Sequence, residues 1–280
     1  MPFVETNGIE TYYERRGSGP PVVFVHGSMV DHSHWLPQVE ALADAYTTVV
    51  YDLRGHGRTG PSPVDAYTTD LFVEDLDALI ATLDLGTPVL CGASMGGAIA
   101  QVYAATYPER VAGLVLADTF TGTRLDWRER LQWAFLRAMV VPVRLVGFER
   151  ANGLNVWINE LVNRGSGGDS ESIDALTASG PSITTDEFAK VARAMTRFVD
   201  GDTDFDLRAI AVPTLVIYGE HEIGLVKRHA RVLCAAIPDA TRRVVPGGGH
   251  TSNRDDPAFF TAVLREFLAE RVTAGTFTGT

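Results

Sequence analysis

A serine framed by glycines is the first residue of the chain whose surroundings suit chemistry. Residues 89–101 read VLCGASMGGAIAQ, so Ser94 stands at the centre of a Gly-x-Ser-x-Gly motif. The apolar run before the motif predicts a strand, and GGAIAQVYAA after it predicts a helix. Gly92 and Gly96 permit a strained turn between the two. We expect this turn to present the hydroxyl as a nucleophile, beside a helix N-terminus that favours negative charge.

A histidine far along the chain is suited to activate this serine. A serine hydroxyl is a weak nucleophile until a base removes its proton. Among the seven histidines, His250 follows a strand-like run and three glycines, in the loop before the last predicted helix. That order along the chain, with the serine first and the histidine last, is typical of nucleophile-elbow enzymes. We therefore expect His250 to be the general base.

Two carboxylates are candidates for the acid that orients the imidazole and stabilises its cation. Glu222 lies in the loop after the predicted strand PTLVIYG, where an aspartate would be usual, and Asp118 ends the preceding predicted strand, GLVLAD. Both loops open onto the same edge of a parallel sheet. We favour Glu222 and keep Asp118 as the alternative acid. A local role for Asp118 would be to close the strand end.

Two backbone N–H groups are candidates for an oxyanion hole, which a tetrahedral intermediate requires. Met95 follows the serine directly and supplies the first N–H. The segment His26-Gly27-Ser28 follows the apolar run PVVFV, and the N–H of Ser28 is suited to be the second. His26 itself is expected to anchor this loop rather than to transfer protons.

Short apolar runs closed by Gly or Asp recur along the chain and predict the elements that position these residues. Such runs lack polar alternation, which indicates strands buried on both faces of a largely parallel sheet. Segments with apolar residues at helical spacing lie between them. PFVET-NG-IETYYERR predicts an antiparallel hairpin at the N-terminus. The fold class predicted is α/β, with a doubly wound sheet and sites at the carboxyl ends of its strands.

One stretch interrupts this alternation and predicts an inserted helical cap after the sixth strand. Residues 119–206 contain helical patterns, a Gly/Ser-rich break and no convincing buried strand. The predicted organisation is a core of 1–118 and 207–272, a cap of 119–206 and a flexible tail of 273–280. The cap is expected to shape the substrate pocket. Apolar candidates for its lining are Met29, Trp35, Phe120 and Trp127, and further Trp133, Phe135, Trp157 and Phe198; Arg124 and Arg128 are weaker candidates for meeting a substrate carboxylate.

Composition excludes several classes of function. A formal net charge of −11 disfavours nucleic acids and anionic membranes as partners. We find no run of about 18 apolar residues and no signal-peptide pattern. Two cysteines cannot form a disulfide scaffold. We therefore expect a soluble, acidic, cytoplasmic protein. No pattern indicates a cofactor, a metal or an oligomeric state, and the substrate class follows from the motifs rather than from composition.

Taken together, these motifs resemble the α/β-hydrolase superfamily. Six segments follow one another in the order of that family and cover nearly the whole chain outside the cap. They are FVHGS, YDLRGHGRT, GASMGG, PERVAGLVLADT, VPTLVIYGEHE and GGGHTSNRDDPAFFTAVLREFL. The chain is most similar to small serine esterases, cofactor-free chloroperoxidases (perhydrolases) and 3-oxoadipate enol-lactonases. The departure is Glu222, where those groups usually carry Asp. Relatives that act on epoxides or haloalkanes carry Asp at the elbow, so Ser94 disfavours those reactions.

The resemblance implies a serine hydrolase that cleaves small carboxylic esters or lactones through an acyl-enzyme. A perhydrolase side activity would follow if peroxide replaced water in attacking the acyl-serine. The alternative is a ligand sensor that keeps the fold and has lost efficient turnover.

Overall fold

Eight strands form a single sheet that runs through the protein. The computed structural model describes residues 2–122, 127, 129, 130, 133, 134, 138 and 183–273. The sheet order is β1-β2-β4-β3-β5-β6-β7-β8. The strands are β1 Phe3–Thr6, β2 Ile9–Arg16, β3 Pro21–Val25, β4 Thr47–Tyr51, β5 Val89–Ala93, β6 Gly113–Ala117, β7 Thr214–Gly219 and β8 Ala240–Val245.

The pairing of these strands is mostly parallel, as predicted. β1 and β2 form the expected antiparallel hairpin, in which Asn7 and Gly8 both adopt positive φ angles, 37° and 77°. β2 also pairs antiparallel with β4, and the remaining neighbours are parallel. Parallel strands have their carboxyl ends at one edge of the sheet, so the loops after β3, β5, β6, β7 and β8 meet there.

Burial follows the apolar runs except in the last strand. Every residue of β4, β5, β6 and β7 is buried, because helices cover both faces of the sheet. β8 was expected to be buried in the same way, but Arg242, Arg243 and Val244 are exposed. β8 is the last strand of the sheet and pairs only with β7. Edge strands of this kind tolerate charged side chains, which discourage pairing with another chain.

Helices lie on both faces of the sheet. The described helices are α1 Leu36–Leu42, α2 Thr69–Thr82, α3 Met95–Thr106, α4 Thr185–Asp200, α5 Gly224–Ala236, α6 Ser252–Asp255 and α7 Pro257–Phe267; the described chain ends in a π-helical turn, Leu268–Thr273. α1 and α7 share one apolar cluster with one face of the strands, and α2, α3, α4 and α5 share a second cluster with the other. The doubly wound fold is therefore confirmed.

The predicted cap falls largely outside the described residues, and its boundaries stay predictions. Its described helix, α4, begins after a Thr184 cap and ends at Gly201, whose φ of 88° suits glycine. Buried polar contacts hold α4 against the loop that precedes α2. Tyr67 donates to Glu187, and Lys190 Nζ lies 2.8 Å from Glu187 Oε1 and donates to the carbonyl of Ser62.

Within the described residues, none of the helices is both long and apolar enough to cross a membrane. Cys91 is buried in β5 and Cys234 is half-buried in α5, and both thiols are free.

Candidate active site

A strained residue separates β5 from α3. Ser94 follows the last residue of β5 and precedes Met95, the first residue of α3, with φ 50° and ψ −116°. Non-glycine residues rarely adopt such angles, and surrounding contacts must hold them there. The Ser94 N–H donates to the carbonyl of Ala117 at 2.9 Å, and Thr119 Oγ1 donates to the Ser94 carbonyl at 2.6 Å. The predicted strand-turn-helix context is therefore present.

The flanking glycines allow backbone segments to approach one another closely. A Cβ on Gly92 would lie 2.4 Å from the carbonyl oxygen of Gly96. A Cβ on Gly96 would lie 2.2 Å from the carbonyl oxygen of Val25 and 2.5 Å from that of His26. All three distances are far shorter than any van der Waals contact. Only glycine at these positions lets α3 start directly against the loop after β3.

Replacing Gly96 by alanine is therefore expected to destabilise the protein. The added methyl group must displace backbone rather than a flexible side chain, which costs about 1–3 kcal/mol or more in the free energy of unfolding. Urea denaturation measures this loss. Gly224→Ala is the matched control: its Cβ would lie 3.4 Å from the Arg228 guanidinium, at the start of α5, and should leave stability unchanged or slightly raised. Equal stability of both variants would contradict this account.

The side chains of Ser94, His250 and Glu222 form one hydrogen-bonded chain. Nε2 of His250 lies 3.2 Å from Ser94 Oγ, and Nδ1 lies 2.7 Å from Glu222 Oε2. The three residues come from the loops after β5, β7 and β8, separated by up to 156 positions in sequence. Ser94 is half-buried, the His250 side chain is 42% exposed and the Glu222 side chain is fully buried. A nucleophile, a base and an orienting carboxylate in contact can carry out acyl transfer.

The two candidate acids have different partners. The second oxygen of Glu222 accepts the Ile223 N–H at 2.7 Å, which leaves Oε2 directed at the imidazole. Asp118 instead accepts three hydrogen bonds: from the Gly219 N–H at 2.9 Å, the Ser252 N–H at 3.1 Å and the Ser252 hydroxyl at 2.6 Å. Ser252 carries no recognisable motif, and the only signal for it in the sequence is a hydroxyl two residues after the proposed base.

The charges around the imidazole raise its pKa. Partial desolvation lowers the pKa of His250, but the hydrogen bond to Glu222 and the charges of Glu222, Asp118 and Asp255 outweigh it and raise the pKa to about 9. Burial raises the pKa of Asp118 to about 7, although the His250 charge and the hydrogen bonds from Ser252 and Gly219 oppose this. The site therefore stabilises a protonated imidazole, as a base needs during catalysis.

The loop after β3 lies against the serine. A Cβ on Gly27 would be 3.3 Å from Ser94 Cβ, so this loop lies against the Ser94 side chain. Met95 begins α3, and its N–H is one of those that have no carbonyl partner within a helix. Ser28 is half-buried in the same loop. These two N–H groups are the donors predicted for an oxyanion.

His26 behaves as a structural anchor. Its Nε2 accepts the Leu53 N–H at 3.0 Å, so its Nδ1 carries the proton and donates to the Gly27 carbonyl at 2.7 Å. Burial lowers the pKa of His26 and keeps the ring neutral.

A nearby cluster brings possible metal-ligand atoms within 4.8 Å of one another, from Asp31, His32 and Asp52. Asp52 already accepts bonds from the backbone and ring of His32 and from the Arg58 N–H, so this group supports the loop.

The predicted pocket residues divide into several groups. Phe120 and Phe198 line a narrow apolar pocket beside Met95, with room for about one water. The remaining described lining is Thr69, Phe72, Ala98, Ile99, Ala194 and Met195. Trp133 is buried against Phe120, with ring centroids 5.2 Å apart. Phe135, Trp157, Arg124 and Arg128 lie outside the described residues.

One pocket prediction needs correction. Trp35 is fully buried between Phe24 and Phe260, on the opposite face of the sheet from this pocket, and its Nε1 donates to the Val25 carbonyl. Its apolar surface serves the core. Met29 is 36% exposed and Trp127 is 70% exposed, and neither lines this pocket, so their contact with a substrate stays a prediction.

Comparison with known proteins agrees with this architecture. A family profile described as alpha/beta hydrolase fold matches residues 20–257. A non-heme chloroperoxidase of Kitasatospora aureofaciens is 30% identical over 96% of this chain and 99% of its own length. A thermophilic esterase from Thermogutta terrifontis has a TM-score of 0.78 at 30% identity, covering 96% of this chain and 97% of its own. The enol-lactonase from Burkholderia xenovorans LB400 also has a TM-score of 0.78, at 26% identity, covering 96% of this chain and all of its own. The chain belongs to the α/β-hydrolase family.

Proposed function

We propose that this chain is a serine hydrolase that cleaves small carboxylic esters or lactones through an acyl-enzyme. The observation that carries the proposal is the unbroken contact from Ser94 Oγ through the His250 ring to Glu222. Similarity to an esterase and an enol-lactonase supports the same class of substrate.

In the proposed acylation step, Ser94 Oγ attacks the substrate carbonyl carbon. The hydroxyl proton passes to Nε2 of His250, and Glu222 accepts the Nδ1–H and stabilises the cation. The N–H groups of Ser28 and Met95 bind the oxyanion of the tetrahedral intermediate. When this intermediate collapses, the alkoxide leaves as an alcohol with the proton from His250, and Ser94 remains acylated.

Deacylation reverses these roles with water as the nucleophile. His250 removes a proton from water as the water oxygen attacks the acyl carbon. When the intermediate collapses, His250 returns that proton to Ser94 Oγ, and the carboxylic acid and free Ser94 are released. Hydrogen peroxide in place of water would release a peracid and balance in the same way. Similarity to a non-heme chloroperoxidase makes this second reaction worth measuring beside the first.

The acyl group is proposed to enter the pocket beside Met95 and to be short and apolar. The pocket beside Met95 is lined mostly by apolar side chains, and it has room for only about one water. A long acyl chain would require Met195 or Phe198 to move. Flexible methionine side chains allow modest expansion only.

Labelling and a substrate series test this function. A fluorophosphonate should label Ser94, because the probe reacts with activated serines and mimics the tetrahedral intermediate. p-Nitrophenyl acetate and butyrate should be hydrolysed faster than the octanoate, with simple lactones measured in parallel. A folded protein that neither labels nor turns over any member of the series would contradict the proposal and favour the ligand-sensor alternative.

A further inference from the structure

We propose that Asp118 is a positioning residue that joins the Glu222 loop and the His250 loop to the end of β6. Its buried carboxylate also supplies a second negative charge to the imidazole. The inference rests on the proposed function for its kinetic consequences only.

The first attachment is to the loop that carries Glu222. Oδ1 of Asp118 accepts the N–H of Gly219, the last residue of β7, at 2.9 Å. The Gly219 carbonyl in turn accepts the Glu222 N–H at 3.1 Å. Asp118 therefore fixes the start of the turn that directs Glu222 at the imidazole.

The second attachment is to the loop that carries His250. Oδ2 of Asp118 accepts both the N–H and the hydroxyl of Ser252, which is fully buried two residues after the base. The two loops also touch directly, since the His221 N–H donates to the Gly248 carbonyl at 2.7 Å. One carboxylate thus holds both sides of the Glu222–His250 hydrogen bond.

The backbone of Asp118 indicates that this arrangement has a cost. Its φ is 45°, in the left-handed region that non-glycine residues seldom adopt because it is strained for them. The residue is 1% exposed, so its carboxylate is also desolvated. Three hydrogen bonds compensate for both effects, and a strained, buried charge of this kind is typical of functional sites.

The charge of Asp118 acts on His250 together with its neighbours. Glu222, Asp118 and Asp255 all raise the pKa of the imidazole, and Asp118 does so without touching it. Burial lowers the pKa of the His34 ring, which also senses His250, to about 3 and keeps it neutral, so this ring adds no charge. Removing the Asp118 charge should therefore lower the His250 pKa while the Glu222 contact remains.

Two variants separate positioning from charge. Asp118→Asn removes the charge and one acceptor; we expect kcat to fall about 10- to 100-fold with little change in KM, as for a small misplacement of catalytic groups. The acid limb of its pH–rate profile should move to lower pH. Ser252→Ala removes one hydrogen bond but neither carboxylate. We expect kcat to fall roughly 3- to 10-fold and the acid limb of the pH–rate profile to stay at its wild-type pH.

Rates are expressed per serine labelled by fluorophosphonate, so misfolded protein does not contribute. Asp75→Asn is the matched control, because Asp75 is a buried carboxylate outside the site, with Oδ2 2.8 Å from Arg54 Nε. It should lower thermal stability and leave kcat and the pH limb unchanged. An Asp118→Asn variant that behaves like this control would overturn the proposal, and so would one whose kcat loss exceeds that of Glu222→Gln.

NMR titration of the His250 ring keeps this inference separate from the proposed function. The ring pKa can be measured without turnover, and it should fall in Asp118→Asn and stay close to the wild-type value in Ser252→Ala and Asp75→Asn. An unchanged pKa in Asp118→Asn would contradict the electrostatic part even if the protein hydrolysed no ester.

Discussion

Replacing Ser94 by alanine is expected to reduce ester hydrolysis by a factor on the order of 10⁴ or more. The substitution removes Oγ, which lies 3.2 Å from His250 Nε2. The backbone contacts of Ser94 with Ala117 and Thr119 do not involve Oγ and are kept. The fold should therefore survive while covalent catalysis is lost.

p-Nitrophenyl acetate hydrolysis measures the loss, and thermal unfolding verifies the fold. Ser33→Ala is a suitable control, because Ser33 is a half-buried serine whose backbone carbonyl, rather than its hydroxyl, accepts from Arg254. It should retain wild-type turnover and fluorophosphonate labelling. Substantial hydrolysis or labelling that persists in Ser94→Ala would show that another residue is the nucleophile.

Replacing Glu222 by glutamine is the second large effect, with an expected fall in kcat on the order of 10²–10⁴. The carboxylate orients the imidazole through a 2.7 Å contact and stabilises its cation in a desolvated position. The amide keeps the approximate shape but loses the charge. Glu222→Asp is the paired variant: it keeps the charge and withdraws it by one methylene, so its kcat should fall less than that of Glu222→Gln.

The pH dependence of kcat/KM gives an independent test of Glu222. A base must be neutral, so the rate should rise with pH through the pKa of His250, which the neighbouring carboxylates raise from 6.5 to about 9. Glu222→Gln removes the largest of the influences that raise this pKa. The rising limb should therefore move to lower pH even as the maximum rate falls. If the rising limb of Glu222→Gln stays at the wild-type pH, a group other than the Glu222–His250 pair controls the pH dependence of kcat/KM.

Local sequence patterns predicted the fold because buried strands and helices require apolar residues at characteristic spacings. Unbroken apolar runs indicated strands covered on both faces, and the Asn7-Gly8 pair indicated a tight hairpin. The same reasoning was wrong for β8, which contains Arg242 and Arg243 and lies at the edge of the sheet, where these charged side chains are exposed. It was also wrong for Trp35, because a large aromatic suits a core and a pocket lining equally well.

The order of the residues along the chain and the glycine-framed turn were sufficient to nominate Ser94 and His250 from the sequence. Both depend on short-range requirements, namely a strained bend and a loop at a strand end. Which carboxylate touches the imidazole could not be read in this way. Asp118 and Glu222 follow adjacent parallel strands and reach the same edge of the sheet. In the structure, Glu222 contacts the imidazole at 2.7 Å, whereas Asp118 accepts three hydrogen bonds from other groups. This choice depends on how two loops pack against each other, which no local sequence pattern encodes.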